Sequence, residues 1–155
     1  MCYDFVIDKK THIHHITQQK ESLMTLKDYF SNTQGMGILS TADGQGNVTS
    51  AIYARPAVLA DGTVAFLMRE RLSYKNIGVN PHAIYMFIES GGGYQGARLY
   101  LQKIDEIDNP QLAQQMTRQS LTPEQDQEKG PKHLVRFSVE KSLALIGAQE
   151  RQFTK

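Results

Sequence analysis

A chain of 155 residues suits one domain, and 40% hydrophobic against 21% charged residues excludes a disordered or low-complexity chain. Seventeen basic residues nearly cancel sixteen acidic ones, for a net charge of +1, so no overall field draws the chain to nucleic acid or an anionic membrane. Any anion must be held by a local cluster of charge. Cys2 is the single cysteine, which excludes an intramolecular disulfide and a thiolate metal cage. The first residues lack the apolar core of a signal peptide, and no run nears the ~20 apolar residues that span a bilayer. A cytoplasmic protein is expected.

In chain order, residues 1–20 are polar and read as an N-terminal extension, with residues 21–155 as a single domain. Ser22 is placed to cap a helix over Leu23, Met24, Leu26, Tyr29 and Phe30 that ends before Gly35. Residues 36–42 and 48–53 read as strands around the Asp43–Asn47 turn. Residues 57–60 and 63–68 flank Asp61-Gly62, a strong hairpin signal. A short helix is predicted over 73–78, stopped by Asn80-Pro81 because proline disfavours helical geometry in its predecessor. Residues 82–88 form an apolar strand, 91–96 a glycine-rich loop, and 97–107 a long strand. Asn109-Pro110 opens a helix running to about Arg118. Residues 121–131, with two prolines, predict a loop, and 133–139 and 142–146 predict two closing strands. Strands in hairpin succession argue for a mostly β, antiparallel barrel with a few helices rather than a βαβ sheet.

The window that carries chemistry is Arg69-Glu-Arg-Leu-Ser-Tyr-Lys-Asn-Ile77. Ser73 is placed to cap the short helix, where free N–H groups and the helix dipole favour phosphate. Lys75 adds a positive charge in a first turn that otherwise disfavours cations, and Arg69 and Arg71 stand close by. A solvated basic surface around a capped helix is the competing reading, and local pattern alone favours it.

The order of segments adds to this. A strand carrying Arg55 (Tyr53-Ala-Arg-Pro-Ala-Val58) precedes a hairpin and an apolar strand ending at Arg69, followed by Ser73-Tyr-Lys75, Asn76-Ile77, Asn80-Pro81 and a further apolar strand. This order, over residues 23–107, resembles the pyridoxamine 5'-phosphate oxidase-like family of FMN-binding split barrels. The resemblance implies FMN as cofactor, with Ser73, Lys75 and Arg55 toward its phosphate. It implies backbone contacts from Arg55, Pro56, Ala57 and Val58 along the flavin ring, and Met68 and Arg69 near the ring or ribityl chain. It further implies a homodimer with the flavin between subunits and Gln95 reaching in from the partner. An oxidoreductase acting on a small molecule is expected; the substrate and catalytic residues are unknown. A non-catalytic module binding flavin or haem is the alternative. The family's oxidases carry Ser-Arg-Lys and a terminal Arg-x-His; this chain has Ser73-Tyr-Lys75 and ends Gln149-Glu-Arg-Gln-Phe-Thr-Lys155, so pyridoxamine phosphate oxidation is not expected.

Other features are weaker. His12, His14 and His15 raise a metal or haem site, but no carboxylate or cysteine is fixed nearby in sequence, so a solvated segment is preferred and no metal is expected. Glycines 91–93 lack the Lys-Ser/Thr of a nucleotide loop. His82 and His133 are possible acid–base groups without a located pocket. Met24, Met36, Met68, Met86 and Met116 fall at spacings that predict core packing.

Overall fold

The computed structural model describes residues 24–154. Cys2, the three N-terminal histidines, the proposed extension and Ser22 lie outside them.

Helix α1 (Leu26–Asn32) is capped by Thr25, whose Oγ1 accepts from the Asp28 N–H at 3.0 Å. Seven strands follow: β1 (Gly35–Ala42), β2 (Val48–Tyr53), β3 (Ala57–Val58), β4 (Val64–Arg69), β5 (His82–Glu89), β6 (Gly96–Ile107) and β7 (Lys132–Ala144). Helix α2 (Leu72–Val79) lies between β4 and β5, and α3 (Pro110–Met116) and α4 (Pro123–Glu128) between β6 and β7. All pairings are antiparallel, in the order β2-β1-β5-β6-β7-β4-β3.

That order forces a barrel. Laid flat, seven strands at ~4.8 Å spacing put the two edges about 29 Å apart. Yet the edges, β2 and β3, are joined by residues 54–56 alone, a link that reaches no more than roughly 14 Å when extended. The sheet must curl until its edges meet. Tyr85, fully buried on the interior strand β5, reaches across the interior and donates to the Ala54 carbonyl in that link at 3.1 Å. Gly37 makes room for it, since a Cβ there would lie 1.9 Å from the Tyr85 hydroxyl.

Alternation along the strands sends Leu39, Phe66, Tyr85, Phe87, Leu99 and Phe137 into one core. Helix α1 closes one end, stacking Tyr29 and Phe30 edge-on to Phe87 at centroid distances of 5.8 and 5.4 Å.

Several expected elements differ. The helix at 123–128 stands where a loop was expected: Thr122 and Gln125 form a reciprocal capping box and Pro123 takes the first turn. The two closing strands are one, because Lys141 stays paired opposite Tyr100, its ammonium 4.3 Å from the ring centroid, and a bulge beside this pair absorbs the irregularity. The methionine expectation holds fully only at Met68; Met24 and Met36 are about half exposed.

Candidate functional site

One cavity of about 830 Å³ opens where α1, the β2–β3 link, the end of β4, the start of α2 and the α3–α4 connection converge. Its volume lies in the upper part of the range for small-molecule sites, ~300–1,000 Å³. Among the described residues its lining includes six cations, Lys27, Arg55, Arg69, Arg71, Arg118 and Lys129, and no carboxylate. A chain of nearly balanced charge thus concentrates one sign in one concavity.

Each wall has a local cause. The N-terminus of α2 opens into the cavity through Arg71, Leu72 and Ser73. The first backbone bond of that helix runs from the Lys75 N–H to the Arg71 carbonyl, so the N–H groups of residues 72–74 precede the ladder and have no partner within the helix. Ser73 is not the cap. Arg71 holds that position with no side-chain capping bond, and Ser73 is buried in the first turn. Beside it stands Tyr53, packed edge-on against Phe66. Burial raises the Tyr53 phenol above its ordinary pKa, while a hydrogen bond from Ser73 and the charge of Arg71 oppose that rise.

Arg55 spends part of its guanidinium on α1: Nη1 donates to the carbonyls of Phe30 and Thr33 at 2.7 and 3.0 Å, at the end where helical carbonyls lack partners. Its Nε and Nη2 make no hydrogen bond among the described residues. Arg69 is more fully engaged. Nη2 pairs with the Asp126 carboxylate, and Nη1 donates to the Asp126 and Gly130 carbonyls. Lys132 holds the other oxygen of Asp126 at 2.6 Å. These two cations keep the Asp126 carboxyl below its usual pKa, the Lys132 bond contributing most.

Of the residues named from sequence, Arg55, Pro56, Ala57, Val58, Arg69 and Ser73 line this cavity together. Met68 does not. It is fully buried in the barrel core, and the half-buried Leu67 faces the cavity in its place, because successive strand residues point to opposite sides. Lys75 is exposed on α2 and outside the lining. Gln95 is exposed in the glycine loop, its amide reaching the Gly93 carbonyl at 3.4 Å. Tyr74 turns away to stack on His133 at 4.4 Å and donates to Glu106 at 2.8 Å. His133 has a carboxylate at 3.0 Å from each ring nitrogen, Glu106 at Nδ1 and Glu70 at Nε2, and lies outside the cavity. His82 borders a second groove of about 550 Å³ on the outer sheet face. No cluster of three or more metal-ligating side chains occurs among the described residues.

Lys27, Arg118 and Lys129 were not anticipated. They come from α1, the α3–α4 connection and the C-cap of α4, and nothing local in their segments marks them as sharing a cavity with Ser73. These three read as ordinary surface until the fold gathers them around the same cavity as Arg55, Arg69 and Arg71.

No known family's sequence profile matches the chain, and no curated protein matches it by sequence. The fold has clear counterparts among solved structures. HupZ of Group A Streptococcus superposes with a TM-score of 0.61 at 16% identity, over 81% of this chain and 94% of that one. An FMN-binding protein from Syntrophomonas wolfei gives 0.59 at 17%, over 78% and 84%. HutZ, the haem storage protein of Vibrio cholerae, gives 0.52 at 18%, over 76% and 90%. The chain is a split barrel with the fold of the FMN-binding, pyridoxamine 5'-phosphate oxidase-like proteins.

Proposed function

We propose that the cavity binds FMN and that the protein is a flavin-dependent oxidoreductase acting on a small molecule. The observation that carries this reading is that all six charged residues lining the cavity are cations, with the start of α2 opening among them. A phosphate monoester brings roughly 1.5–2 negative charges and three acceptor oxygens. The free N–H groups of α2, the Ser73 hydroxyl and the Arg71 guanidinium suit those oxygens. Arg55 adds its unused N–H edge, and the β2–β3 link beside it offers backbone along which a flat ring can lie. Bound there, the flavin supplies hydride or electron transfer, while these residues hold its phosphate and orient its ring.

Titration calorimetry with FMN and riboflavin tests this. Loss of two or three charge-assisted contacts, at about 1.5–3 kcal/mol each, weakens riboflavin well over tenfold. Equal affinity for both flavins sinks the reading. The haem storage neighbour supports a second reading, a haem-binding module without turnover. Reconstitution with each cofactor separates the two, since bound haem shows a Soret band and bound FMN the yellow flavin spectrum.

We also propose that the molecule works as a homodimer. The outer face of β2, β1 and β5 carries Met36, Ile38, Ile52, Ile84, Met86 and Ile88 side by side. Met36 and Ile52 are 47% and 70% exposed, and Tyr94 at the tip of the glycine loop is 77% exposed. Apolar surface of this extent is uncommon on a soluble monomer.

A further inference from the structure

The α3–α4 connection walls the cavity, yet it is lightly anchored. Neither α3 nor α4 contains a buried residue. What fastens α4 to the barrel is centred on one carboxylate. Asp126 sits between Arg69 and Lys132, which face each other across the β4–β7 ladder and form a rigid two-cation socket. Arg69 also donates to the Asp126 and Gly130 carbonyls at 3.1 and 2.6 Å, and Lys132 to Thr117 Oγ1 at 3.0 Å. Both ends of the segment therefore meet the same two cations. Gly130, at φ +82, takes a left-handed conformation at the far end, where only a glycine turns without strain.

We propose that residues 117–131 form a hinged wall of the cavity, latched by Asp126 between Arg69 and Lys132, and that this latch sets how fast an anionic ligand enters and leaves. Opening the wall carries Arg118, Leu121 and Lys129 away from the cavity. Because α4 is held by polar contacts and no core side chain, it can open without unfolding the barrel. The proposal draws on the FMN reading only for its choice of ligand probe.

The test combines stopped-flow FMN binding with amide hydrogen exchange on the full chain, comparing wild type, Asp126→Asn and Glu124→Gln. Glu124 shares the helix, but its carboxylate bonds only within its own first turn, at Glu124 and Thr122. Asp126→Asn is expected to raise both the association and dissociation rates of FMN about tenfold or more, as gating by a lid predicts. Exchange at 117–131 should quicken while β4 and β7 keep their protection, and Glu124→Gln should change neither. Unaltered rates and exchange in Asp126→Asn overturn the latch. Should that variant not fold, wild type at low and high salt decides: screening must speed exchange at 117–131 selectively, and salt-independent exchange there overturns the proposal. Should FMN bind none of the proteins, the flavin reading fails. The latch then stands or falls on the exchange contrast alone, faster at 117–131 in Asp126→Asn supporting it and equal exchange overturning it.

Discussion

Arg71 and Lys75 stand four residues apart around the first turn of α2, but only Arg71 opens onto the cavity. Arg71 is the N-cap, on extended backbone at φ −114° and ψ −172°, so its side chain is not tied to the face that residues four apart share within a helix. We therefore expect Arg71→Ala to lower FMN affinity roughly ten- to a hundredfold, the loss of one charge-assisted contact of about 1.5–3 kcal/mol. Lys75→Ala, at an exposed position outside the lining, should change binding by less than about threefold, with calorimetric titration of both variants as the check. A larger loss in Lys75→Ala would return the phosphate to that side of the helix. The same limit on sequence reading shows at Met68. The strand was legible from its composition, but which alternate residues face inward depends on its partners: β4 sits between β3 and β7, and that pairing sends Met68 into the core and Leu67 toward the cavity. Arg55 and Ser73 were legible because their segments follow one another in a recognisable order. Arg118 and Lys129 were not, because only the tertiary fold brings the α3–α4 connection and the end of α4 to the same cavity.

Closure of the barrel depends on one small residue opposite one large one. Residues 36–42 read as a strand, but nothing in that stretch of sequence explained Gly37. In the fold, a Cβ on Gly37 would fall 1.9 Å from the Tyr85 hydroxyl, 2.3 Å from its ring carbon and 2.6 Å from the Tyr53 carbonyl. Tyr85 has no free space to retreat into, being fully buried between Phe66 and Phe87. Gly37→Ala must displace either that ring or the β2–β3 link. Overpacking of a dense core costs typically 1–3 kcal/mol, and with backbone as well as side chain in the way we expect the upper part of that range. Urea unfolding gives the measurement, and a loss under about 0.5 kcal/mol would show that the link adapts freely. FMN affinity should fall with it, since residues 54–56 line the cavity. Helix α4 carries a different lesson. Its Thr122-Pro-Glu-Gln125 signal was present in the sequence, but the surrounding polar residues and two prolines masked it. A capping box marks a helix start even where no apolar stripe follows.

At the scale of the molecule, the barrel has two faces with different chemistry. Inward residues pack a single aromatic core, while the outward face of β2, β1 and β5 is also apolar. Register makes that face continuous: Ile52 lies opposite Ile38, which lies opposite Met86 on the next strand, and Met36 lies opposite Ile88. A half-solvated antiparallel sheet ordinarily alternates apolar inside with polar outside, so this face calls for a cover. In the homodimer we propose, a second copy of the chain would cover it by symmetry, the same patch serving both partners. The β2 strand contributes to this face and, through Thr49, Ala51 and Tyr53, to the cavity wall, so pairing would bring the partner next to the site. We expect light scattering at micromolar concentration to give twice the 17.5 kDa chain mass. Met86→Lys tests the surface directly. The side chain points outward from the middle of β5, so the core is untouched and the monomer should keep its unfolding midpoint within about 0.5 kcal/mol of the wild-type monomer, as for surface substitutions generally. In the dimer, a lysine from each chain must be desolvated in an apolar contact, which is strongly unfavourable without a partner charge. The variant should therefore run at monomer mass and bind FMN more weakly than wild type. A wild type that is monomeric with FMN bound, or a Met86→Lys variant that stays dimeric, would show that this face is covered by something other than a second copy.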